Sequence, residues 1–124
     1  MAANKLFNFG PVAMSATTTT NILNPAITSL AGPVGFTATQ PYIVLRHIRI
    51  VNKTAGAVTF SLWKGATGAN AAGTEVIGIA KSIPANDAYD YYGALRLDAA
   101  DFLVGGASAG TSLAISGEGE IGFV

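Results

Sequence analysis

The sequence predicts an all-β protein: an antiparallel β-sandwich of jelly-roll or immunoglobulin-like winding, with an extended N-terminal arm. Three observations lead there. No segment sustains the apolar period of a helix. Short runs rich in β-branched and aromatic residues recur, separated by Gly, Pro, Asn and Asp turn signals roughly every 8–12 residues. Pro11, Pro25, Pro33 and Pro41 punctuate the first third of the chain at a spacing that helices do not tolerate. Strand-rich chains without helices close their cores by packing one sheet on another.

The elements follow in order. Residues 1–41 are expected to form an arm, a first strand near 17–24 and a long loop over 25–40. No charged residue occurs from Leu6 to Leu45, and a loop of that length usually serves a function or covers another subunit. Residues 42–124 are expected to form the body of a single domain. Tyr42–Asn52 is the best strand candidate. Its alternation is imperfect, and a bulge near Arg46-His47 would bring Leu45, Ile48 and Ile50 onto one face. Lys53–Gly56 reads as a turn.

Ala57–Lys64 alternates cleanly: Val58, Phe60 and Leu62 face one way, Thr59, Ser61 and Trp63 the other. Gly65–Thr74 is a small-residue loop. Glu75–Ile83 holds a short strand, and Pro84–Asp87 a turn. Ala88–Gly93 is strand-like, with Tyr89, Tyr91 and Tyr92. Leu95, Leu97 and Phe102 are expected in the core, with Asp98–Asp101 between them as one helical turn or a tight loop. Gly105–Gly110 reads as a turn. Thr111–Ser116 alternates, and Ile121 and Phe123 continue after a kink at Gly117 and Gly119.

At 124 residues the chain fits one domain and buries roughly two-thirds of its unfolded surface. Cysteine is absent, so no disulfide framework exists. No apolar run is long enough for a membrane helix. The N-terminus is a poor export signal, because Gly10-Pro11 ends the apolar stretch after a few residues. Charged residues make up 11% of the chain, against about 25% in an average domain.

Those charges are unevenly placed. Residues 1–64 carry Lys5, Arg46, Arg49, Lys53 and Lys64 and no acid, whereas residues 65–124 carry seven acids and only Lys81 and Arg96. The halves therefore sum to +5 and −5. Strands of the two halves pairing across a sheet would explain the split, as would a basic face meeting an acidic face on a neighbouring subunit. Five dispersed cations do not make a nucleic-acid-binding patch.

The search for chemistry returns little, and the chain is read as non-enzymatic, with no catalytic, cofactor or metal site. His47 is the only histidine. Without cysteine a zinc site lacks its usual ligands, and no Gly-x-Ser-x-Gly elbow supports a triad. Ser61-Leu62-Trp63-Lys64 matches Ser-x-x-Lys by letter, but on a strand Ser61 and Lys64 point to opposite faces. The glycine-rich stretch at 65–73 lacks the Gly-Lys-Ser/Thr of a phosphate loop. Asp87, Asp90, Asp98 and Asp101 do not follow calcium-loop spacing. Asn52-Lys53-Thr54 is a sequon by letter only.

What remains is surface for association. Trp63 falls on an otherwise polar strand face. It is either a binding anchor or covered by the arm or a long loop. The uncharged, Thr-rich arm suits a strand added to a neighbour's sheet edge. The candidate interface residues are Phe7, Phe9, Thr18, Thr20, Thr59, Ser61 and Trp63.

The order of segments resembles a group of small tailed-phage virion proteins, particularly single-domain head decoration or cement proteins. The likeness rests on Leu45–Asn52, Val58–Trp63, Ile83-Pro84-Ala85-Asn86-Asp87, Leu95-x-Leu97-Asp98-Ala99-Ala100-Asp101 and Ser116-Gly117-Glu118-Gly119-Glu120. The resemblance implies a β-sandwich made in the host cytoplasm and mounted on the outer surface of the capsid. There it would hold adjacent major capsid protein hexamers and pentamers together, as a homo-oligomer (dimer or trimer) without nucleic acid or membrane partners. The alternative is a tail-fibre or baseplate domain for attachment, in which Tyr89, Tyr91, Tyr92 and Trp63 stack on host glycans.

Overall fold

Alternation decides which residues meet in the middle of this molecule. In the computed structural model, which describes residues 5–24 and 41–123, eight strands form two four-stranded sheets. The strands are β1 (Lys5–Ala13), β2 (Asn21–Leu23), β3 (Pro41–Asn52), β4 (Val58–Gly65), β5 (Lys81–Ile83), β6 (Ala88–Leu97), β7 (Phe102–Ala107) and β8 (Leu113–Phe123). One sheet runs β1-β8-β3-β6 and the other β2-β7-β4-β5, with every pairing antiparallel. The chain crosses between sheets at every step except β4 to β5. That is jelly-roll winding, not the immunoglobulin order in which the first two strands pair.

Between the sheets, Ile43, Leu45, Ile48 and Ile50 of β3 and Leu113, Ile115 and Ile121 of β8 face Val58, Phe60 and Leu62 of β4 and Leu103 of β7, all buried. The bulge expected in β3 is present. Its register shifts between Leu45 and His47 against both β6 and β8. Against β8 Arg46 is the extra residue, whereas against β6 Gly93 and Ala94 lie opposite it, and Leu45, Ile48 and Ile50 all reach full burial.

Several expectations are corrected. The first strand is β1, over residues expected to be arm. It pairs with β8 from Lys5↔Ile121 to Ala13↔Ala114, and its Phe7 is 4% exposed in the core. Within 17–24 only Asn21–Leu23 is strand, because residues 14–20 instead run along β7, with Ser15 O and Thr20 O accepting from Ala107 N and Gly105 N. The expected loop at 25–40 and the first four residues lie outside the described residues.

Gly105 and Gly106 do not open a turn; they are buried in β7. A side chain at Gly105 would strike Ser61 O, and one at Gly106 would come within 2.6 Å of Ser15 O. Backbone on either side, not a reversal, requires glycine there. The strand expected over Glu75–Ile83 shrinks to β5, because Val76 N and Gly78 O bond instead to Leu62, leaving this stretch as a loop along β4. Phe102 lies on the outward register of β7, half-buried, and its neighbour Leu103 takes the core place. The kink expected at Gly117 and Gly119 is not a break, since β8 runs through it.

The turns at 53–56, 84–87 and 98–101 form where expected. The last is closed by Asp101 N to Asp98 O at 2.9 Å and by Asp98 N to Asp101 Oδ2 at 3.0 Å.

Candidate functional site

Two outer faces remain once the core is filled, and they differ in chemistry. On the β1-β8-β3-β6 face the bulge at Arg46 turns His47 and Arg49 outward. The register sets His47 between Glu118 of β8 and Tyr92 of β6, and Arg49 between Ser116 and Asp90. His47 Nε2 lies 2.8 Å from Asp90 Oδ1 and its Nδ1 3.5 Å from Glu118 Oε1. The imidazole stacks on the Tyr92 ring with centroids 4.6 Å apart and planes 7° apart. Arg49 reaches Asp90 at 3.5 Å, and Arg46 donates to Glu120 from Nη2 at 3.1 Å and from Nε at 3.3 Å.

The sheet thus pairs cations of the first half of the chain with acids of the second, which is the internal reading of the +5/−5 split. Lys64 and Asp101 repeat it at 3.8 Å. These pairs are half-exposed, and each contributes no more than about 1 kcal/mol.

Both ring nitrogens of His47 face carboxylates, so the ring is held as a bridge between strands and not turned toward a serine. Beside it is an open hollow of about 280 Å³ lined by Asn8, Phe9, Pro11, His47, Arg49 and Glu118. Among the described residues no group of three or more His, Cys, Asp or Glu side chains is placed to hold a metal ion. Asp87 and Asp90 stand apart from the turn that joins Asp98 to Asp101. Asn52 of the sequon is fully buried. Its amide donates to Gly56 O, Ile83 O and Pro84 O and its Oδ1 accepts from Thr54, so it is a structural residue that no glycosyl group can reach.

The strands of the β2-β7-β4-β5 sheet carry no charge at their outward register positions, but the exposed Glu75 bridges to Trp63 on the same side. Thr59 lies opposite Ser82, Ser61 opposite Gly106, and Trp63 opposite Val104. The chain covers part of this face itself. Asn21 bonds to Thr67 Oγ1 and Gly68 N, Asn70 bonds to Thr18 Oγ1, and Ser61 Oγ accepts from Ala80 N. These contacts tie residues 17–21 to the 66–70 loop and bring the 75–80 stretch over β4. Trp63 is therefore half-buried and Val104 fully buried on an outer face.

The candidate interface residues do not form one surface. Thr59, Ser61 and Trp63 share this face. Thr18 is exposed in the segment beside it, and Thr20 is half-buried with its hydroxyl donating to Thr17 O. Phe7 is core. Phe9 packs against the core at 6.4 Å from the Phe7 ring, on the other sheet.

The aromatic platform of the glycan reading is not assembled. Tyr89 packs on Phe60 at 5.6 Å, Tyr91 is packed against the core, Tyr92 is 73% exposed, and Trp63 sits on the opposite sheet.

No protein-family model, curated protein or solved structure matches the chain.

Sequence reasoning missed the outward ladder of Glu118 and Glu120. Its signal was Gly117-Glu118-Gly119-Glu120 itself: glycine inward under Phe7 and Phe9, acid outward beside Arg46 and His47.

Proposed function

We propose that this protein decorates a phage head, binding across adjacent major capsid protein capsomers and stabilising the shell mechanically. The observation that carries the reading is the contrast between the faces. One sheet presents a charged, internally paired surface suited to water, and the other presents serine, threonine and a half-buried tryptophan, with no charge at the outward positions of its own strands and the exposed Glu75 bridged to Trp63. Charge depletion around an aromatic anchor is the composition of an interface core. The jelly roll, a fold that recurs in viral shells, and the resemblance in segment order support the same reading. A capsid protein on the Trp63 face would leave the ion-paired face toward solvent and add buried area across a capsomer boundary.

The test is occupancy on purified capsids lacking the protein, measured by co-sedimentation and by a virion reconstruction. Wild type is expected to saturate sites between capsomers on the outer surface. Trp63→Ala is expected to lose at least tenfold in affinity while remaining folded. Density for the protein confined to the tail would overturn the reading.

A further inference from the structure

Among the described residues each sheet ends in two edges whose outer backbone N–H and C=O groups lack ladder partners, and natural proteins guard such edges. Three of the four edges here are guarded. β2 and β5 are only three residues long. β6 is long, but its register with β3 breaks at Gly93 and Ala94, and it carries Asp90 and Arg96.

β1 is different. Pro11, which has no N–H, interrupts its far half, but Lys5 to Phe9 pair with β8 in unbroken register from Ile121 to Gly117. No charge occurs from Leu6 to Phe9, and Leu6 is 91% exposed. Among the described residues nothing pairs with its outer side.

We propose that the Lys5–Phe9 edge of β1 pairs with the same edge of a second copy, antiparallel about a twofold axis, joining two β1-β8-β3-β6 sheets into one eight-stranded sheet. An antiparallel strand pair is self-complementary, so one surface supplies both sides of the contact. Leu6 is on the outward register, and the twofold brings it within cross-strand or diagonal reach of its copy, covering the most exposed large apolar side chain described.

Charge does not oppose this. The glutamates of β8 and their copies lie three strand spacings apart, about 14 Å, beyond the screening length of about 8 Å at physiological salt. Five residues a side bury less than the roughly 1,000 Å² of a stable interface, so the pairing is weak and reversible in solution. The proposal stands apart from the capsid reading, since it uses neither Trp63 nor the face that carries it.

Sedimentation equilibrium of the full chain, from micromolar to near-millimolar concentration at physiological salt, tests it. Wild type is expected to show a reversible monomer–dimer equilibrium, and backbone amides of residues 5–9 to exchange more slowly as concentration rises. Leu6→Lys is expected to weaken the dimer at least tenfold with unchanged circular dichroism. Tyr92→Lys, on the guarded β6 edge, is expected to leave it unchanged. A wild-type monomer at every concentration would overturn the proposal, including the case in which a strand of another protein takes the edge. So would a dimer that forms without added protection at residues 5–9. The exchange measurement on wild type decides the matter if Leu6→Lys does not fold.

Discussion

Single residues set the tolerances of this sandwich. Gly119 faces the interior opposite Phe7, and a methyl group there would strike Val44 O and come within 2.9 Å of Leu45 Cα. Backbone cannot swing aside as a side-chain tip can. Gly119→Ala is therefore expected to destabilise the fold by about 1–3 kcal/mol, read as a lower urea midpoint at unchanged slope. Asn52 works by satisfaction instead of fit. Its amide donates to Gly56 O, Ile83 O and Pro84 O, tying the turn at 53–56 to the end of β5, and Asn52→Leu removes all three bonds, including the buried one to Ile83 O. The expected cost is about 2–3 kcal/mol, by the same measurement. Arg46 shows the opposite extreme: it is 55% exposed beside Glu120, and Arg46→Ala is expected to cost no more than about 1 kcal/mol.

At the level of elements, strands with one buried face and one wet face were legible. β4 shows in its alternation, and β3 showed even through its bulge, because only an extra residue at Arg46 reconciles Leu45 with Ile48 and Ile50. β1 was not legible. Lys5–Phe9 does alternate, but Gly10-Pro11 follows and the charge-free stretch beyond it reads as an arm. What makes it a strand is β8, more than a hundred residues away, whose glycines 117 and 119 accept the two phenylalanines. β7 was hidden for a related reason: Gly105 and Gly106 read as a turn, and only the close approach of β4 and the 15–17 backbone explains them. The site followed the same rule. The charge split foretold cross-strand pairing, but which carboxylate meets His47 depends on register, which no local pattern carries. Leu62→Ala, a truncation on the inward face of β4, is expected to cost about 2–5 kcal/mol. If Trp63→Ala costs as much in the isolated chain, Trp63 is ordinary core.

For the molecule as a whole, the two faces assign different jobs to salt. Pairs such as Arg46–Glu120 are screened as ionic strength rises, so the charged face contributes little to stability at any salt. The proposed contact through the Trp63 face, where Glu75 is the charge bridged to the tryptophan, depends little on Coulomb attraction. The proposed capsid binding is therefore expected to change less than threefold between 50 mM and 500 mM salt, measured by co-sedimentation. A steep loss with salt would point to the ion-paired face as the docking surface.

The pairing of Lys5 with Ile121 also fixes a schedule. β8 lies between β1 and β3, so neither neighbour can complete its ladder until the last strand has been made. At ribosomal speeds of about 5–20 residues per second, Phe7 waits on the order of ten seconds for the strand that shelters it. Through that interval a nascent chain exposes an apolar, uncharged segment with nothing of its own to pair with, a natural substrate for a chaperone. Once released, a chain whose first and last strands must meet is expected to refold in milliseconds to seconds, not microseconds.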